Sequence, residues 1–295
     1  MNTEQQIDPI RTQENRRVIR VTSGIETRDG AGVKLTRIIG SPELDMWDPF
    51  LLFDRFESED PDDYIAGFPP HPHRGFETVT YLLAGRLRHK DSTGREGVIE
   101  PGGVQWMTAA RGIVHSEMPE QVEGRLAGYQ LWINLPAADK MSAPAYQEFG
   151  AGEIPLIRRD SGAEIRLIAG TTGDGVSGPV RNVPTAPLYL DVCLAPAGTF
   201  LEHVPKTHGC FVHVVYGAID VIAADPADDA TVGAGALALL DDGDRIALRS
   251  RKGQCRLLLV AGIRLGEPVA RSGPFVMNTR EEVIRAYDDF RGGRF

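Results

Sequence analysis

Cysteine is scarce in this chain, and the three that are present lie far apart. Cys193, Cys210 and Cys255 form no Cys-x-x-Cys pair and are odd in number, so the sequence predicts neither a zinc knuckle nor a disulfide framework. We expect buried, reduced thiols. No apolar run approaches the roughly eighteen residues of a membrane span. The polar stretch Met1 to Arg17 lacks the apolar segment of a signal peptide, so we expect a soluble, cytoplasmic protein.

An excess of basic residues is also missing. The chain has 32 Lys and Arg against 41 Asp and Glu, which gives a net charge of -9. This balance argues against direct binding of nucleic-acid phosphates and against a basic membrane-surface patch. The length of 295 residues suggests two domains. A chain of that size can build its core without metal or disulfides, so a metal here would serve function rather than folding.

Helical periodicity is rare before the C-terminus, and short apolar runs bounded by turn residues dominate. The 33 glycines and 20 prolines separate these runs. Regular short strands with turn residues between them are typical of a β-sandwich or barrel rather than of βαβ units. The predicted strands are Val33–Ile38, Val79–Leu83, Tyr129–Leu135, Phe211–Tyr216, Ala236–Leu240 and Cys255–Ala261.

One helix is predicted, at the C-terminus. Thr279 and Glu282 have the spacing of a capping box. An apolar stripe at helical spacing follows and would pack against the body of the protein; it consists of Val283, Ile284, Tyr287 and Phe290.

Two polar doublets stand out against this background. His71 and His73 are separated by one residue, and so are His115 and Glu117. Alternate residues of a strand point to the same face with Cα atoms roughly 6–7 Å apart, so each doublet can direct both side chains at one ion. The sequence therefore predicts a centre of three histidines and one glutamate inside a β-barrel. A hydrogen-bonded structural cluster is the alternative.

Glu77 is a rival carboxylate for this centre. In an unbroken strand it would lie about 13 Å from His73, and it could reach the metal only if Gly75 bends the chain. Glu117 needs no such bend relative to His115. We therefore favour Glu117 as the ligand and consider Glu77 as a partner that orients a histidine.

The strand rhythm breaks between Leu135 and Phe149, where prolines and alanines accumulate. This break predicts a domain boundary there, with an N-terminal metal-binding domain and a C-terminal domain that ends in the helix. The predicted domains are residues 1–140 and 141–295.

A weak internal repeat supports the division. Aligning Gly85 with Gly217 carries His71 onto His203 but places Pro205 at the position of the second histidine. No His-x-Glu doublet follows in the second copy. If the barrel is duplicated, only the first copy keeps a full ligand set.

Four segments resemble the pirin family, and the resemblance runs from about Ser23 to the C-terminus. It implies an all-β protein of two tandem cupin-type barrels (a bicupin) with a short C-terminal helix. It also implies iron in the N-terminal barrel, held by His71, His73, His115 and Glu117. The segments are His71–Val79, Pro101–Ala109, Gly112–Pro119 and Gly273–Thr279.

The chemistry of the donor atoms restricts the choice of metal but does not identify a single ion. Three imidazoles and a carboxylate suit one divalent transition metal, with nickel, copper, manganese and zinc as alternatives to Fe(II). Four protein ligands on an octahedral ion would leave two positions for a substrate and O2, whereas a structural zinc would be saturated. Iron therefore follows from the resemblance.

The same resemblance implies quercetin 2,3-dioxygenase activity, which opens the central ring of a flavonol with O2 and releases CO. Glu117 and Glu77 are the candidate general bases for the flavonol hydroxyl. The main alternative is an iron-dependent, redox-responsive regulatory protein that acts through a protein partner. A bicupin sugar isomerase or a storage-like protein would share the fold but lacks the Gly112–Glu117 segment.

Two further groups of residues are less specific. The aromatic side chains Trp106, Trp132 and Phe68 could line a substrate pocket, with plain core packing as the alternative. In the second half, histidines spaced five residues apart alternate between strand faces, so a second metal site is not expected; they are His203, His208 and His213.

Overall fold

The computed structural model describes residues 8–295, so residues 1–7 of the polar N-terminal stretch lie outside the described residues. Strands make up most of the regular structure. In chain order they are β1 (Val18–Thr22), β2 (Ile25–Asp29), β3 (Val33–Ile39), β4 (Phe50–Ser58), β5 (Phe68–His73), β6 (Phe76–Ala84), β7 (Leu87–Asp91), β8 (Glu96–Ile99), β9 (Val104–Thr108), β10 (Ile113–Pro119), β11 (Leu126–Asn134), β12 (Ala145–Phe149), β13 (Leu156–Arg159), β14 (Ala163–Ala169), β15 (Leu188–Leu194), β16 (Thr199–His203), β17 (His208–Tyr216), β18 (Ala218–Val221), β19 (Ala230–Gly233), β20 (Leu237–Leu240), β21 (Arg245–Ser250), β22 (Cys255–Ile263), β23 (Ala270–Ser272) and β24 (Phe275–Met277).

In the part of the chain that the structure describes, helical structure is limited to two short 3-10 turns, Pro61–Asp63 and Pro226–Asp228, and one α-helix, α1 (Arg280–Arg291). Within residues 8–295, no helix combines the length and hydropathy that crossing a membrane requires. All six predicted strands coincide with or overlap observed strands, so the strand prediction is confirmed.

The helix α1 begins at the predicted capping box. The Thr279 hydroxyl accepts from the backbone N–H of Glu282, and the Glu282 carboxylate accepts from the backbone N–H of Thr279. The predicted apolar stripe is partly wrong. Val283 and Ala286 are the buried residues of the helix, whereas Ile284 is 51% exposed. Since Val283 and Ala286 are three residues apart, they share a face from which Ile284 points away.

The chain divides into two compact units, which we name by the barrel that each contains. The first-barrel unit comprises Gly24–Ile154, Asn182–Thr185 and Arg264–Phe295. Its strands form a seven-stranded antiparallel sheet in the order β12-β9-β6-β11-β4-β3-β2 and a four-stranded sheet in the order β5-β10-β7-β8. The hairpin β23-β24 and the helix α1 also belong to this unit.

The second-barrel unit comprises the described residues up to Ser23, Pro155–Arg181 and Ala186–Ile263. Its sheets have the orders β1-β20-β17-β22-β15-β14-β13 and β16-β21-β18-β19. These orders match those of the first-barrel unit except at one edge of the large sheet, where β12 follows the other strands of its unit in the chain and β1 precedes those of its own. Both barrels carry a glycine with positive φ directly after the third strand of the large sheet, +83° at Gly85 and +79° at Gly217. The topology therefore supports the internal repeat.

The fold prediction is confirmed: the chain is all-β, with two cupin-type barrels and a short C-terminal helix. The predicted boundary between residues 140 and 141 stays a prediction. The two units are not continuous in sequence, because β1 joins the second-barrel unit and the segment after Arg264 joins the first. The three cysteines are free thiols; Cys210 and Cys255 are buried, and Cys193 is half-buried.

Candidate metal centre

The strands that carry the histidines are neighbours in the four-stranded sheet of the first-barrel unit. β5 and β10 pair antiparallel, with His71 directly opposite His115 and His73 opposite Ile113. β5 lies at the edge of the sheet. An edge strand tolerates proline because the missing N–H can face away from the hydrogen-bond ladder. The pairing brings the doublet of β5 next to that of β10.

The chain turns sharply at Gly75, between β5 and β6. Gly75 has a φ of +91°, and a Cβ at this position would lie 1.9 Å from the carbonyl oxygen of Val276. Only glycine fits such a close backbone approach with positive φ. The buried Nζ of Lys140 donates to the carbonyl oxygens of Gly75 at 2.6 Å and Val276 at 3.0 Å. The turn therefore fixes the end of the ligand strand.

Three imidazoles meet at one point. One ring nitrogen from each of His71, His73 and His115 lies within 4.8 Å of the others. The ring centroids are 4.4 Å apart for His71 and His115, 4.7 Å for His71 and His73, and 5.0 Å for His73 and His115. A transition metal binds imidazole nitrogen at about 2.0–2.1 Å, so nitrogens at these separations suit a shared ion.

The surroundings of His73 and His115 favour their neutral forms. Burial, followed by the neighbouring histidines, holds the pKa of both His73 and His115 well below the ordinary value. Metal binding needs a deprotonated imidazole. Nδ1 of His71 lies 2.8 Å from the carbonyl oxygen of Pro69; when it donates there, Nε2 keeps its lone pair.

Unsatisfied buried nitrogens test whether a metal fits the site. Neither ring nitrogen of His115 has a hydrogen-bond partner in the described part of the chain, and Nδ1 of His73 also lacks one. Unpaired buried polar atoms are costly. A metal ion would satisfy a nitrogen on each ring, so the residues present fit a transition metal.

Glu117 lies beside the three histidines without joining their cluster of donor atoms. It is buried and shares the inward face of β10 with His115. Its Oε1 accepts a hydrogen bond from Thr80 Oγ1 at 2.7 Å, and the same hydroxyl lies 2.6 Å from the Gln130 amide. The Gln130 atom is Oε1, an acceptor, and since threonine has one hydroxyl proton, Thr80 donates to one of these two oxygens at a time. This arrangement holds one carboxylate oxygen and leaves the other available.

Glu77 is directed elsewhere. It is three residues from Thr80 along β6, and odd steps in a strand alternate faces; Glu77 therefore points away from Glu117. Its Oε1 accepts from Thr108 Oγ1 at 2.7 Å, and burial raises its pKa to about 7. The structure does not bring this carboxylate to the histidines.

A cavity of about 740 Å³ opens beside the cluster, and His71, His73 and Glu117 form part of its wall. This volume lies in the range that binds small molecules. Trp132 contacts His73, with ring centroids 5.1 Å apart. Most of the remaining wall is apolar and is formed by Leu35, Leu51, Leu52, Phe56, Phe68 and Leu87.

The aromatic predictions had a mixed outcome. Trp132 and Phe68 line the cavity, whereas the fully buried Trp106 does not. Trp106 is directly opposite Val79 on β6, and therefore shares the face of Glu77. Among the described residues, the histidines of the second-barrel unit form no group of three metal-binding donors.

Several cavity residues were not singled out from the sequence. Arg37, Asp54 and Gln130 supply polar groups to the wall, and the segment Arg271–Pro274 closes part of it. The alternation along β4 offered a signal for Asp54, because a carboxylate occupies an inward position between two apolar ones. No local pattern marks the C-terminal segment, which reaches the cavity through long-range folding.

A two-sheet barrel that places three histidines and a carboxylate beside an apolar cavity defines a cupin with a candidate metal centre. The family model described as Pirin matches residues 32–133, and that of the Pirin C-terminal cupin domain matches residues 189–295. The chain belongs to the pirin family.

Individual relatives cover nearly the whole chain. It is 52% identical over 281 residues to a Pirin-like protein of Caulobacter vibrioides, covering 95% of this chain and 99% of that protein. It is 41% identical over 271 residues to Pirin of Homo sapiens, covering 91% and 90%. The crystal structure of Quercetin 2,3-dioxygenase from Acinetobacter baumannii matches with a TM-score of 0.85 and 31% identity, covering 95% of this chain and 98% of that one.

Proposed function

We propose that this protein is a metal-dependent dioxygenase that opens the central ring of a flavonol such as quercetin. Both atoms of O2 enter the organic product, and one ring carbon leaves as CO. The observation that carries the proposal is the convergence of three histidines beside an apolar cavity. The likeness to a solved quercetin 2,3-dioxygenase over 95% of the chain supports the same reaction class.

The proposed ligands are His71, His73, His115 and Glu117, and the proposed metal is Fe(II). Nickel, copper, manganese and zinc also accept imidazole and carboxylate donors, so the donor set alone does not select iron. When bound, the metal supplies a Lewis acid that lowers the pKa of the flavonol 3-hydroxyl and orients the ring.

The chain's own residues bind the substrate and exclude water. The apolar side chains of the cavity suit a flat aromatic molecule, and Trp132 places an indole beside the His73 ring. Glu117 is the carboxylate of the cavity wall that shares its strand face with His115, so we assign it the proton of the 3-hydroxyl in addition to its role as a ligand. Thr80 holds its Oε1, which leaves Oε2 to act. Glu77, on the opposite strand face, has no part in this proposal.

Oxygen uptake is the direct test. Protein loaded anaerobically with Fe(II) and given quercetin is expected to consume O2 and release CO in equal amounts. The His73→Ala variant, with its metal content measured on the same sample, is expected to lose both activities. Stoichiometric iron without oxygen uptake would contradict the proposal.

The regulatory alternative and a protein partner stay predictions, since no feature of the described residues favours them. We retain a cytoplasmic location as part of the proposal, because the proposed reaction needs neither a membrane nor disulfide bonds.

A further inference from the structure

One buried ion pair interrupts the apolar wall of the cavity. Arg37 and Asp54 lie directly opposite each other on β3 and β4. Nε of Arg37 donates to Oδ1 of Asp54 at 3.0 Å, and Nη2 donates to Oδ2 at 2.7 Å. Asp54 is only 3% exposed. Nη2 also donates to the exposed Asp29 at 2.6 Å. All three residues line the cavity.

Stability alone gives little reason for this pair. The desolvation of two charges offsets most of their attraction, and well-packed apolar residues of similar volume are often as stable. The neighbours of Asp54 on the same face of β4 are Leu52 and Phe56, which continue the apolar wall. A role in ligand binding therefore explains a charged pair at this one position.

The carboxylate keeps the capacity to bind a ligand. Each carboxylate oxygen has two lone-pair directions, and each oxygen of Asp54 receives one hydrogen bond from Arg37. The remaining directions can accept a hydroxyl proton from a molecule in the cavity. Hydrogen bonds to a charged acceptor are the stronger kind. Burial raises the pKa of Asp54 to about 6, and the guanidinium of Arg37 opposes this rise and fixes the direction of the carboxylate.

The position of the pair suits the far end of a flat substrate. Trp132, which contacts His73, is opposite Leu52, while Gln130 is opposite Asp54. Successive inward positions of a strand are about 7 Å apart. Asp54 lies in the cross-strand row of Gln130 and Thr80, two strand spacings, or about 10 Å, from Thr80, the residue that holds Glu117. A flat molecule whose chelating end faces the histidines spans that distance with its second ring.

We propose that Arg37 and Asp54 form a recognition site for phenolic hydroxyl groups on the substrate ring remote from the metal. Asp54 accepts the hydroxyl protons, and Arg37 positions the carboxylate. The inference rests on the proposed function and narrows its substrate class: a planar polyphenol with a chelating hydroxy-carbonyl at one end and at least one hydroxyl at the other.

Equilibrium binding without oxygen tests this site separately from turnover. The probes are quercetin, which has two hydroxyls on its pendant ring, and the flavonol that lacks both. Tryptophan fluorescence quenching of the as-purified protein gives the two Kd values. We expect quercetin to bind roughly 10- to 100-fold more tightly, the range of a hydrogen bond to a charged group.

The decisive variant replaces the whole pair. Arg37→Met with Asp54→Leu leaves no buried charge without a partner, because Asp29, which loses its bond to Arg37, is exposed to water, and the variant is expected to fold. It should bind the flavonol without pendant hydroxyls as the wild type does and lose the preference for quercetin. The control Asp29→Asn touches Arg37 from the exposed side and should keep the preference.

The outcomes separate the two proposals. Equal affinity of the wild type for both probes, no binding of either, or a preference that survives in the double variant would overturn the recognition site. Oxygen is then admitted to the same wild-type samples. A lack of oxygen consumption would overturn the proposed function, while the binding ratio still decides the role of Arg37 and Asp54.

Discussion

The two barrels share their strand orders but fill their interiors with different chemistry. In the first-barrel unit, the inward positions of β10 include His115 and Glu117, beside a cavity of about 740 Å³. In the second-barrel unit, the corresponding strand β21 directs Ile246 and Leu248 into a continuous apolar core. The sheet orders match although the interior chemistry does not.

This difference separates what the fold requires from what the site requires. Alternation along a strand fixes the direction of a side chain but not its polarity. The second-barrel unit closes with Phe200, Ile219 and Leu248 fully buried in its core. The first-barrel unit places unpaired imidazole nitrogens in its interior, which is costly without a ligand. One copy of the architecture is organised for packing and the other for binding.

The largest expected difference between the barrels is in metal binding. His115→Ala removes a central donor, and we expect metal occupancy to fall below about a tenth, with dioxygenase activity lost at least 100-fold. His203→Ala is the matched control, because the repeat carries His71 onto His203, an exposed residue. Elemental analysis with circular dichroism checks both; loss of metal in the control, or unfolding of the first variant, would contradict the comparison.

A substitution in the apolar core of the second-barrel unit should lower stability and leave metal binding unchanged. Phe200 is fully buried in the second-barrel unit, so Phe200→Ala is expected to lower the free energy of unfolding by about 3–5 kcal/mol. Metal content per folded molecule should not change. Denaturant unfolding of metal-free protein, followed by metal titration of the folded fraction, makes this measurement. A Phe200→Leu variant, which keeps most of the volume, should lose much less.

The two glutamates of the first-barrel unit provide a smaller contrast. Glu117→Gln is expected to weaken metal binding about 10- to 100-fold, the usual effect of altering a ligand or its immediate support. Glu77→Gln should retain the metal, because Glu77 points to the other face of β6. Competition titration with a chelator gives both affinities. The opposite ranking would overturn the assignment of Glu117 as the carboxylate ligand.

The smallest effect is a pH dependence of stability caused by Glu77. Burial raises its folded-state pKa from 4.5 to about 7. Between these values the unfolded state ionises first, so this residue lowers stability as pH rises from 4.5 to about 7. Glu77→Gln should remove that contribution and raise the Tm of metal-free protein at pH 8 by a few degrees, with little change at pH 4. If the Tm values of the wild type and Glu77→Gln differ by the same amount at every pH, the pH dependence does not come from Glu77.

Local sequence patterns were sufficient for the strands and the histidine doublets. β6 and the capping box of α1 follow from alternation and spacing within a few residues, and His71 meets His115 because both doublets obey the two-residue period. The residues that form the cavity wall could not be predicted from any single segment of the sequence. Asp54 meets Arg37 through the register of β3 and β4, and Pro274 reaches the cavity from near the end of the chain.

The face of Glu77 shows a second limit of the sequence. Its distance from His73 along the chain depends on the turn at Gly75, whose positive φ is permitted by glycine but not required by it. The carboxylate was therefore a rival ligand until the pairing of β6 showed which face it occupies. A one-residue change in the register of β6 would have turned Glu77 to the inward face of its sheet.

The exchange of chain ends between the units has a practical consequence for dissection of the protein. A fragment that stops at residue 140 contains β1 without β20, the strand with which it pairs. The same fragment lacks Arg271 and Pro274 from the cavity wall and Val276, whose carbonyl accepts from Lys140. Each fragment therefore lacks strands or wall residues that the other fragment contains. We expect a binding-competent barrel from co-expression of the two fragments and not from either fragment alone.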